Sequence, residues 1–272
     1  MADLERIAEK IINAGAVEIR DVDNGEEPFV YSTGNRGPGY VMIKGLVGQP
    51  SVMKFLTGEL AYKVVAEADF DFIEGNATGG MVPAWQLRND VSEILGEEVP
   101  YCYLRGSRKE GGHGELITGD RNNPEIRQGM SALVFEELVN YAGTTSNAAE
   151  AFREAGYPVS HAACILTYDH PESNKRLEDK DVNLVPLIKL PDLLDVAESN
   201  GHFSSEAVNS YKNFLADPMS WQLDRDLAIP EDSARRAIDR GYNMVPLPLE
   251  KAMACGAPKK QLESGVTYWG RE

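Results

Sequence analysis

Two adjacent carboxylates, Glu136 and Glu137, follow a short apolar run in the sequence. A turn of small residues comes next, and Thr144 and Thr145 then lead into a predicted helix. Carboxylates at the end of a buried strand suit ribose hydroxyls, directly or through Mg²⁺, and the N–H groups of a helix N-terminus suit a phosphate. Residues 131–156 therefore predict a site for a sugar phosphate. An acidic pair that only caps the edge of a sheet is the alternative.

A glycine-rich loop is the second candidate binding element. Thr78, Gly79 and Gly80 follow a predicted strand and precede a predicted helix. Adjacent glycines let backbone N–H groups approach an anion, and the helix N-terminus adds a partial positive charge. We expect this loop to bind a phosphate group. A tight turn that holds no ligand is the alternative.

A cationic segment is the third candidate element. Arg105, Arg108, Lys109 and His113 lie within nine residues of one another and are interspersed with glycines. Fixed cations between glycine hinges are typical of a flap that closes over a phosphate-rich ligand. A solvated surface loop is the alternative.

Composition limits the class of partner. The 272 residues include 27 Lys and Arg against 43 Asp and Glu, for a net charge of −16. Such a surface disfavours nucleic acid and acidic membranes as partners. Cys102, Cys164 and Cys255 lack the spacing of a zinc site or a disulfide framework, and no signal peptide or membrane-spanning stretch is recognisable. These features predict a cytoplasmic protein that acts on small molecules.

The elements that would position the three candidate segments alternate along the chain. The apolar patterns predict strands at 70–73, 99–104, 132–135, 159–166 and 182–188, and helices from 83 to 95, 145 to 155 and 191 to 200. This alternation predicts an α/β fold with a mostly parallel central sheet flanked by helices, in which the loops after the strands meet at one edge.

Three segments are expected along the chain. An N-terminal helix and hood segment covers residues 1–64, and the α/β core covers 65–190. A helical C-terminal region and tail covers 191–272. The tail from residue 228 onwards carries no chemical motif, and we expect it to wrap on the core or on a partner subunit.

Four ordered motifs resemble a known family. The strand and the sequence Glu-Glu-Leu-Val-Asn-Tyr-Ala-Gly-Thr at 136–144 resemble the phosphoribosyl-pyrophosphate loop of type I phosphoribosyltransferases. More closely, residues 31–221 are similar to orotate phosphoribosyltransferases. The shared motifs lie at 32–40, 77–84, 108–114 and 191–201.

The resemblance implies an activity. The family uses Mg²⁺ and phosphoribosyl pyrophosphate, and it transfers ribose 5-phosphate to orotate or a related nitrogen base in pyrimidine nucleotide synthesis. It also implies a homodimer in which the flap acts across the interface. By the same resemblance, the catalytic residues would be Lys109, His113, Glu136 and Glu137, with Mg²⁺ near the two glutamates. The substrate-binding residues would be Thr78, Gly79, Gly80, Arg105, Arg108, Asn140, Ala142, Gly143, Thr144, Thr145 and His170.

Several positions depart from the family pattern. The flap is one residue shorter than usual and lacks its second lysine. Asn140 stands where the family has threonine, and His170 stands where it has an arginine that contacts orotate. The turn glycine of the family falls either on Ala142, which would then be strained, or one residue later on Gly143. A catalytically impaired protein that binds nucleotides or phosphoribosyl pyrophosphate as a sensor or scaffold is the alternative function.

Overall fold

A computed structural model describes residues 3–106, 116–121 and 123–271. Its strands are β1 (Val17–Ile19), β2 (Phe29–Val30), β3 (Arg36–Gly37), β4 (Gly39–Val41), β5 (Phe72–Asn76), β6 (Tyr101–Leu104), β7 (Ile117–Thr118), β8 (Ala132–Val139), β9 (His161–Thr167), β10 (Asn183–Lys189), β11 (Ile229–Pro230), β12 (Met244–Pro246) and β13 (Tyr268–Arg271). Its helices are α1 (Leu4–Asn13), α2 (Pro50–Glu67), α3 (Met81–Leu95), α4 (Gly143–Glu154), α5 (Pro171–Glu178), α6 (Leu190–Ser199), α7 (Ser205–Ala216), α8 (Pro218–Leu223), α9 (Glu231–Asp239), α10 (Leu249–Ala254) and α11 (Lys259–Glu263).

The contacts within the chain group it into two compact units. The first unit contains the chain up to Ala16 and the segment Met42–Val196, and the second contains Val17–Val41 and the chain from Ala197 onwards. The three segments expected from the sequence stay a prediction.

A six-stranded sheet forms the centre of the first unit, in the order β10-β9-β8-β5-β6-β7. Its strands pair in parallel except for β7, which is antiparallel to β6. Helices α2 and α3 contact the sheet, and so do α4 and α5. The predicted α/β fold with a mostly parallel central sheet is therefore confirmed.

The core beneath α4 explains why these strands are apolar. Phe72 of β5 and Val134 of β8 pack with Phe152 of α4 and with Tyr157, and all four are buried. A parallel strand that is covered on both faces is expected to be a nearly continuous apolar run, as residues 132–135 are. Each helix can then direct its N-terminus to the edge of the sheet where the strands end.

Two strands extend further than the sequence predicts. The predicted strand 70–73 begins at Phe72 and continues to Asn76, so Glu74 belongs to a strand and not to a loop. The predicted strand 132–135 continues to Val139, so the acidic pair lies within β8 and not after it. Parallel pairing accounts for the second extension, because Glu136 pairs with Cys164 and Val139 with Thr167 of β9.

A short antiparallel ribbon replaces part of a predicted loop. The sequence predicts a loop from 106 to 119, whereas Ile117 and Thr118 pair with Leu104 and Tyr103 of β6. The N–H of Arg105 also donates to the carbonyl of Leu116 at 2.9 Å. Arg105 and Leu116 are thereby joined at the edge of the sheet.

The second unit contains small antiparallel sheets. β1 pairs with β4, β2 pairs with β3, and the C-terminal strands form a sheet in the order β11-β13-β12. The tail that the sequence predicts as an appendage thus has a sheet of its own, together with α9, α10 and α11. Within this unit the hydroxyl of Tyr268 donates to the carbonyl of Gly34 at 3.3 Å, and Ser233 donates to Asn35 at 2.9 Å.

Candidate active site

The turn between β8 and α4 carries a left-handed residue. Ala142 has φ +55° and ψ +19°, precedes the first residue of α4 and is buried. Its carbonyl accepts a hydrogen bond from the N–H of Ser146 at 2.9 Å. Of the two positions open from the sequence, the strained one is therefore Ala142, at a typical cost of about 1–2 kcal/mol for a residue with a Cβ.

The first turn of α4 presents backbone donors. Alanine at the N-cap has no side-chain oxygen to accept from them, so the N–H groups of Gly143 and the following residues keep their capacity to bind an anion. Thr145 is buried, with 1% of its surface exposed, whereas Thr144 is exposed. Of the two predicted hydroxyls, only that of Thr144 lies at the surface of the turn.

Gly79 lies directly beside the carboxylate of Glu137. A Cβ on Gly79 would overlap both carboxylate oxygens of Glu137, and a Cβ on Gly80 would lie 3.0 Å from the carbonyls of Asn76 and Phe135. The loop after β5 and the acidic pair of β8 therefore meet at one edge of the sheet. The glycines are needed for this close approach, because a side chain at Gly79 would displace the carboxylate.

The two carboxyl groups of the acidic pair lie close to each other. Glu136 and Glu137 are neighbours in β8, and their side chains are near enough to share a hydrogen bond. Burial raises the pKa of Glu136, and the nearby carboxyl groups of Glu137 and Glu74 raise it further. Glu136 is thus prepared to give up its proton when a ligand or cation supplies compensating charge.

Glu74 and Asn76 are polar residues of the site that the sequence analysis missed. They are 0% and 2% exposed, and their side-chain oxygens, with the amide nitrogen of Asn76, have no partner among the described residues. Burial raises the pKa of Glu74 well above its ordinary value. An acid directly after a predicted strand, two residues before an amide, was the available signal in the sequence.

Aromatic rings lie at the ends of β8 and β9. Tyr141 stacks on His170, with ring centroids 4.7 Å apart and planes at 7°, and Tyr168 lies 5.7 Å from His170. Burial lowers the pKa of His170, against the opposing effect of Glu172 and Asp169. His170 therefore lies beside the predicted phosphate turn, as a neutral ring near pH 7.

Arg176 of α5 is a further residue that the sequence analysis did not identify. Its Nη1 donates to the carbonyl of Tyr141 at 2.8 Å and lies 3.2 Å from the position of a Cβ on Gly143. This cation therefore supports the turn that leads into α4. Because Arg176 lies 35 residues from Tyr141 in the sequence, no local pattern could indicate this contact.

The cationic segment is only partly described. Arg105 follows β6 at the same edge of the sheet, whereas Arg108, Lys109 and His113 lie outside the described residues. Their predicted roles in the flap stay predictions.

The acidic pair suits a metal that the substrate helps to bind. Among the described residues, no group of three or more His, Cys, Asp or Glu side chains could hold a metal ion. Mg²⁺ commonly takes one or two carboxylates and completes its shell with water and substrate phosphates. Glu136 and Glu137 fit that role with a phosphate-bearing substrate.

Most of this chain is similar to known proteins, although no model of a protein family matches it. An orotate phosphoribosyltransferase of Listeria innocua is 30% identical over 219 residues, which are 80% of this chain and 97% of that protein. A solved structure of Leishmania donovani UMP synthase superposes with a TM-score of 0.63 at 21% identity, over 79% of this chain and 42% of that one.

A second solved structure has the same fold. Orotate phosphoribosyltransferase of Mycobacterium tuberculosis, in complex with 5-phospho-α-D-ribosyl 1-diphosphate, has a TM-score of 0.51 at 17% identity, over 70% of this chain and 97% of that one. Among the described residues, no helix has the length and apolar character required to cross a membrane. The sequence identity over nearly the full length of the Listeria protein identifies this chain as a member of the orotate phosphoribosyltransferase family, with a type I phosphoribosyltransferase fold.

Proposed function

We propose that the protein transfers ribose 5-phosphate from phosphoribosyl pyrophosphate to a nitrogen base. The observation that carries this proposal is the contact between Gly79 and the carboxylate of Glu137, at the edge of the sheet where α4 begins. One edge thus combines a glycine loop for pyrophosphate, carboxylates for ribose and a helix N-terminus for the 5′-phosphate. The M. tuberculosis relative was solved with the same phosphoribosyl donor.

In the reaction, the bond between the ribose C1 and the pyrophosphate oxygen breaks, and pyrophosphate leaves with the electron pair. A nitrogen of the base forms a bond to C1, and the proton of that nitrogen is released with the pyrophosphate. The N–H groups at the start of α4 hold the 5′-phosphate, and Glu136 and Glu137 accept hydrogen bonds from the ribose hydroxyls. The backbone at Gly79 and Gly80 binds the departing pyrophosphate. Because positive charge develops on the ribose ring, the adjacent carboxylates stabilise the transition state.

Bound Mg²⁺ would neutralise charge on the pyrophosphate. In this proposal the side chains of Glu136 and Glu137 orient the substrate that carries the ion, and Arg105, Arg108, Lys109 and His113 supply cations to the pyrophosphate. We also propose that the protein works as a cytoplasmic homodimer in pyrimidine nucleotide synthesis.

Pyrophosphate release tests the function. The protein is incubated with Mg²⁺, phosphoribosyl pyrophosphate and a panel of bases, and release is measured for each base. We expect release that depends on the base, and we expect Glu137→Gln to reduce it at least tenfold because a ribose contact loses its charge. Glu154→Gln, an exposed site at the end of α4, is the control and should retain activity.

The alternative function predicts a different result. A sensor or scaffold would be stabilised thermally by phosphoribosyl pyrophosphate and release no pyrophosphate with any base. That combination would refute the transferase proposal.

A further inference from the structure

The side chain of Asn76, at the end of β5, lies opposite Glu136 of β8. The parallel register pairs Gly75 with Phe135, so the next residues, Asn76 and Glu136, are neighbours across the two strands. Partners in a parallel pair direct their side chains to the same face, and Phe72 places this face of β5 in the core beneath α4. Neighbouring strands lie about 4.8 Å apart, so the two polar side chains can reach each other.

The amide of Asn76 is buried without a partner. Asn76 is 2% exposed, and neither its Nδ2 nor its Oδ1 has a hydrogen-bond partner among the described residues. Buried polar groups are nearly always paired, because an unpaired one destabilises the folded chain. The amide is therefore available to a group that approaches it when a ligand binds.

The carboxyl group of Glu136 is the group that lies near this amide. Burial, Glu137 and Glu74 raise the pKa of Glu136, whereas the side chain of Asn76 lowers it as a hydrogen-bond donor. Because Nδ2 completes no hydrogen bond of ordinary geometry with the described residues, the two side chains are close without being joined. Hydrogen bonds of an active site often tighten only when the substrate is bound.

The backbone around Asn76 is fixed on both sides. Its carbonyl accepts from the N–H of Gly80 at 2.9 Å, and the N–H of Ala77 donates to the carbonyl of Leu104 at 2.8 Å. Asn76 thus belongs both to the sheet and to the start of the glycine loop. A side chain on such a rigid element can hold a neighbouring group in one orientation.

We infer that Asn76 is a positioning residue for Glu136: its amide nitrogen donates to one carboxyl oxygen of Glu136 and directs the other oxygen to a hydroxyl of the ribose. This inference rests on the proposed transferase function, in which Glu136 accepts hydrogen bonds from the ribose, and it adds a residue of β5 to that contact. A carboxyl group that is already oriented loses less freedom when the ribose binds, so the ribose binds more tightly.

The affinities for two probes test the inference without turnover. Ribose 5-phosphate and inorganic phosphate share the phosphate group, so the Kd of inorganic phosphate divided by that of ribose 5-phosphate reports the contacts of the ribose. We call this ratio the ribose preference and measure both Kd values by calorimetry on the intact protein. Asn76→Ala should lower the ribose preference by about 3- to 10-fold, the range of one hydrogen bond, and leave the Kd of inorganic phosphate unchanged.

A second variant and a control accompany Asn76→Ala. Asn76→Asp keeps the shape of the side chain and loses the donor, so it should lower the ribose preference at least as much, and it decides the question if the alanine variant does not fold. Asn183→Ala removes an exposed asparagine at the start of β10 in the same unit and should leave the preference unchanged.

A double-mutant cycle shows whether Asn76 acts through Glu136. In a Glu136→Ala background, Asn76→Ala should have no further effect on the ribose preference, because the group that it positions is gone. The inference is overturned if Asn76→Ala has the same effect in both backgrounds, if it retains the full preference, or if the wild type has no ribose preference. Failure of the wild type to release pyrophosphate with any base would refute the proposed function alone, because the two Kd values do not depend on turnover.

Discussion

Gly79 provides the space in which the Glu137 carboxylate lies, so a single methyl group can test the arrangement of the site. Gly79→Ala would push aside the end of a flexible side chain, and this costs little stability but moves the carboxylate. We expect the affinity for phosphoribosyl pyrophosphate to fall at least tenfold, measured by calorimetry, with a nearly unchanged Tm. Gly58→Ala in α2, where a Cβ meets nothing within 4 Å, is the matched control. Unchanged affinity in Gly79→Ala would show that Glu137 does not contact the substrate.

Glu74 links the stability of the protein to pH. Burial raises its pKa well above the ordinary 4.5, so above pH 4.5 the folded chain binds a proton that the unfolded chain has lost. The free energy of unfolding therefore falls as the pH rises through that window. Glu74→Gln should stabilise the protein at neutral pH and reduce this slope by up to about 1.4 kcal/mol per pH unit.

Urea denaturation between about pH 5 and pH 8 measures the slope. Glu67→Gln, at the exposed end of α2, is the control and should leave the slope as in the wild type. A slope in Glu74→Gln equal to that of the wild type would mean that Glu74 is ionised in the folded protein.

At the scale of secondary structure, α5 supports the turn before α4. The hydrogen bond from Arg176 to the Tyr141 carbonyl fixes a turn that contains the strained Ala142. Arg176→Ala should raise the KM for phosphoribosyl pyrophosphate by about 3- to 10-fold, in line with the loss of one charge-assisted hydrogen bond near the surface. Lys175→Ala removes the neighbouring cation, which is paired with Asp179, and should have no such effect. Equal KM values for the two variants would exclude this role of Arg176.

The order of the elements in the α/β core follows from the sequence, whereas the details of the site do not. Apolar runs predict the core strands to within a few residues, because strands covered on both faces must be apolar. By the same rule, the sequence predicts that strand β8 ends at Phe135, because charged residues rarely continue a buried strand. Glu136 and Glu74 break that rule at the site, where a binding function tolerates the cost of desolvation.

The shortest strands could not be predicted from the sequence for a different reason. β7, β11 and the other two-residue strands are shorter than any alternation that a pattern can reveal. Contacts across long separations, such as Arg176 with Tyr141, depend on the completed fold. By contrast, Asn140 and His170 near the turn could be identified in the sequence, but only because they depart from the family pattern.

At the scale of the whole molecule, the second unit has a buried polar connection between its N-terminal and C-terminal segments. The N–H of Arg36 donates to Oε1 of Gln222 at 2.7 Å, and Nε2 of Gln222 donates to the Pro218 carbonyl at 2.8 Å. Gln222→Ala would leave that N–H unpaired in a site where the glutamine is 2% exposed. The expected loss of stability is about 2–3 kcal/mol.

Scanning calorimetry checks this loss. Gln128→Ala, at an exposed position of the first unit, is the control and should change Tm little. A Tm for Gln222→Ala that equals that of the control would show that water or another group satisfies the Arg36 N–H.

The ribbon formed by β6 and β7 has a consequence for how this chain can change over evolution. Because Arg105 and Leu116 are joined at the edge of the sheet, the entropy of closing a flexible chain between them depends only on the logarithm of the chain's length. Lengthening it from about ten to eleven residues costs about 0.1 kcal/mol, far below the stability of a typical domain. Insertions and deletions at this place are therefore nearly neutral for folding. A lineage can gain or lose a lysine there under selection for chemistry alone.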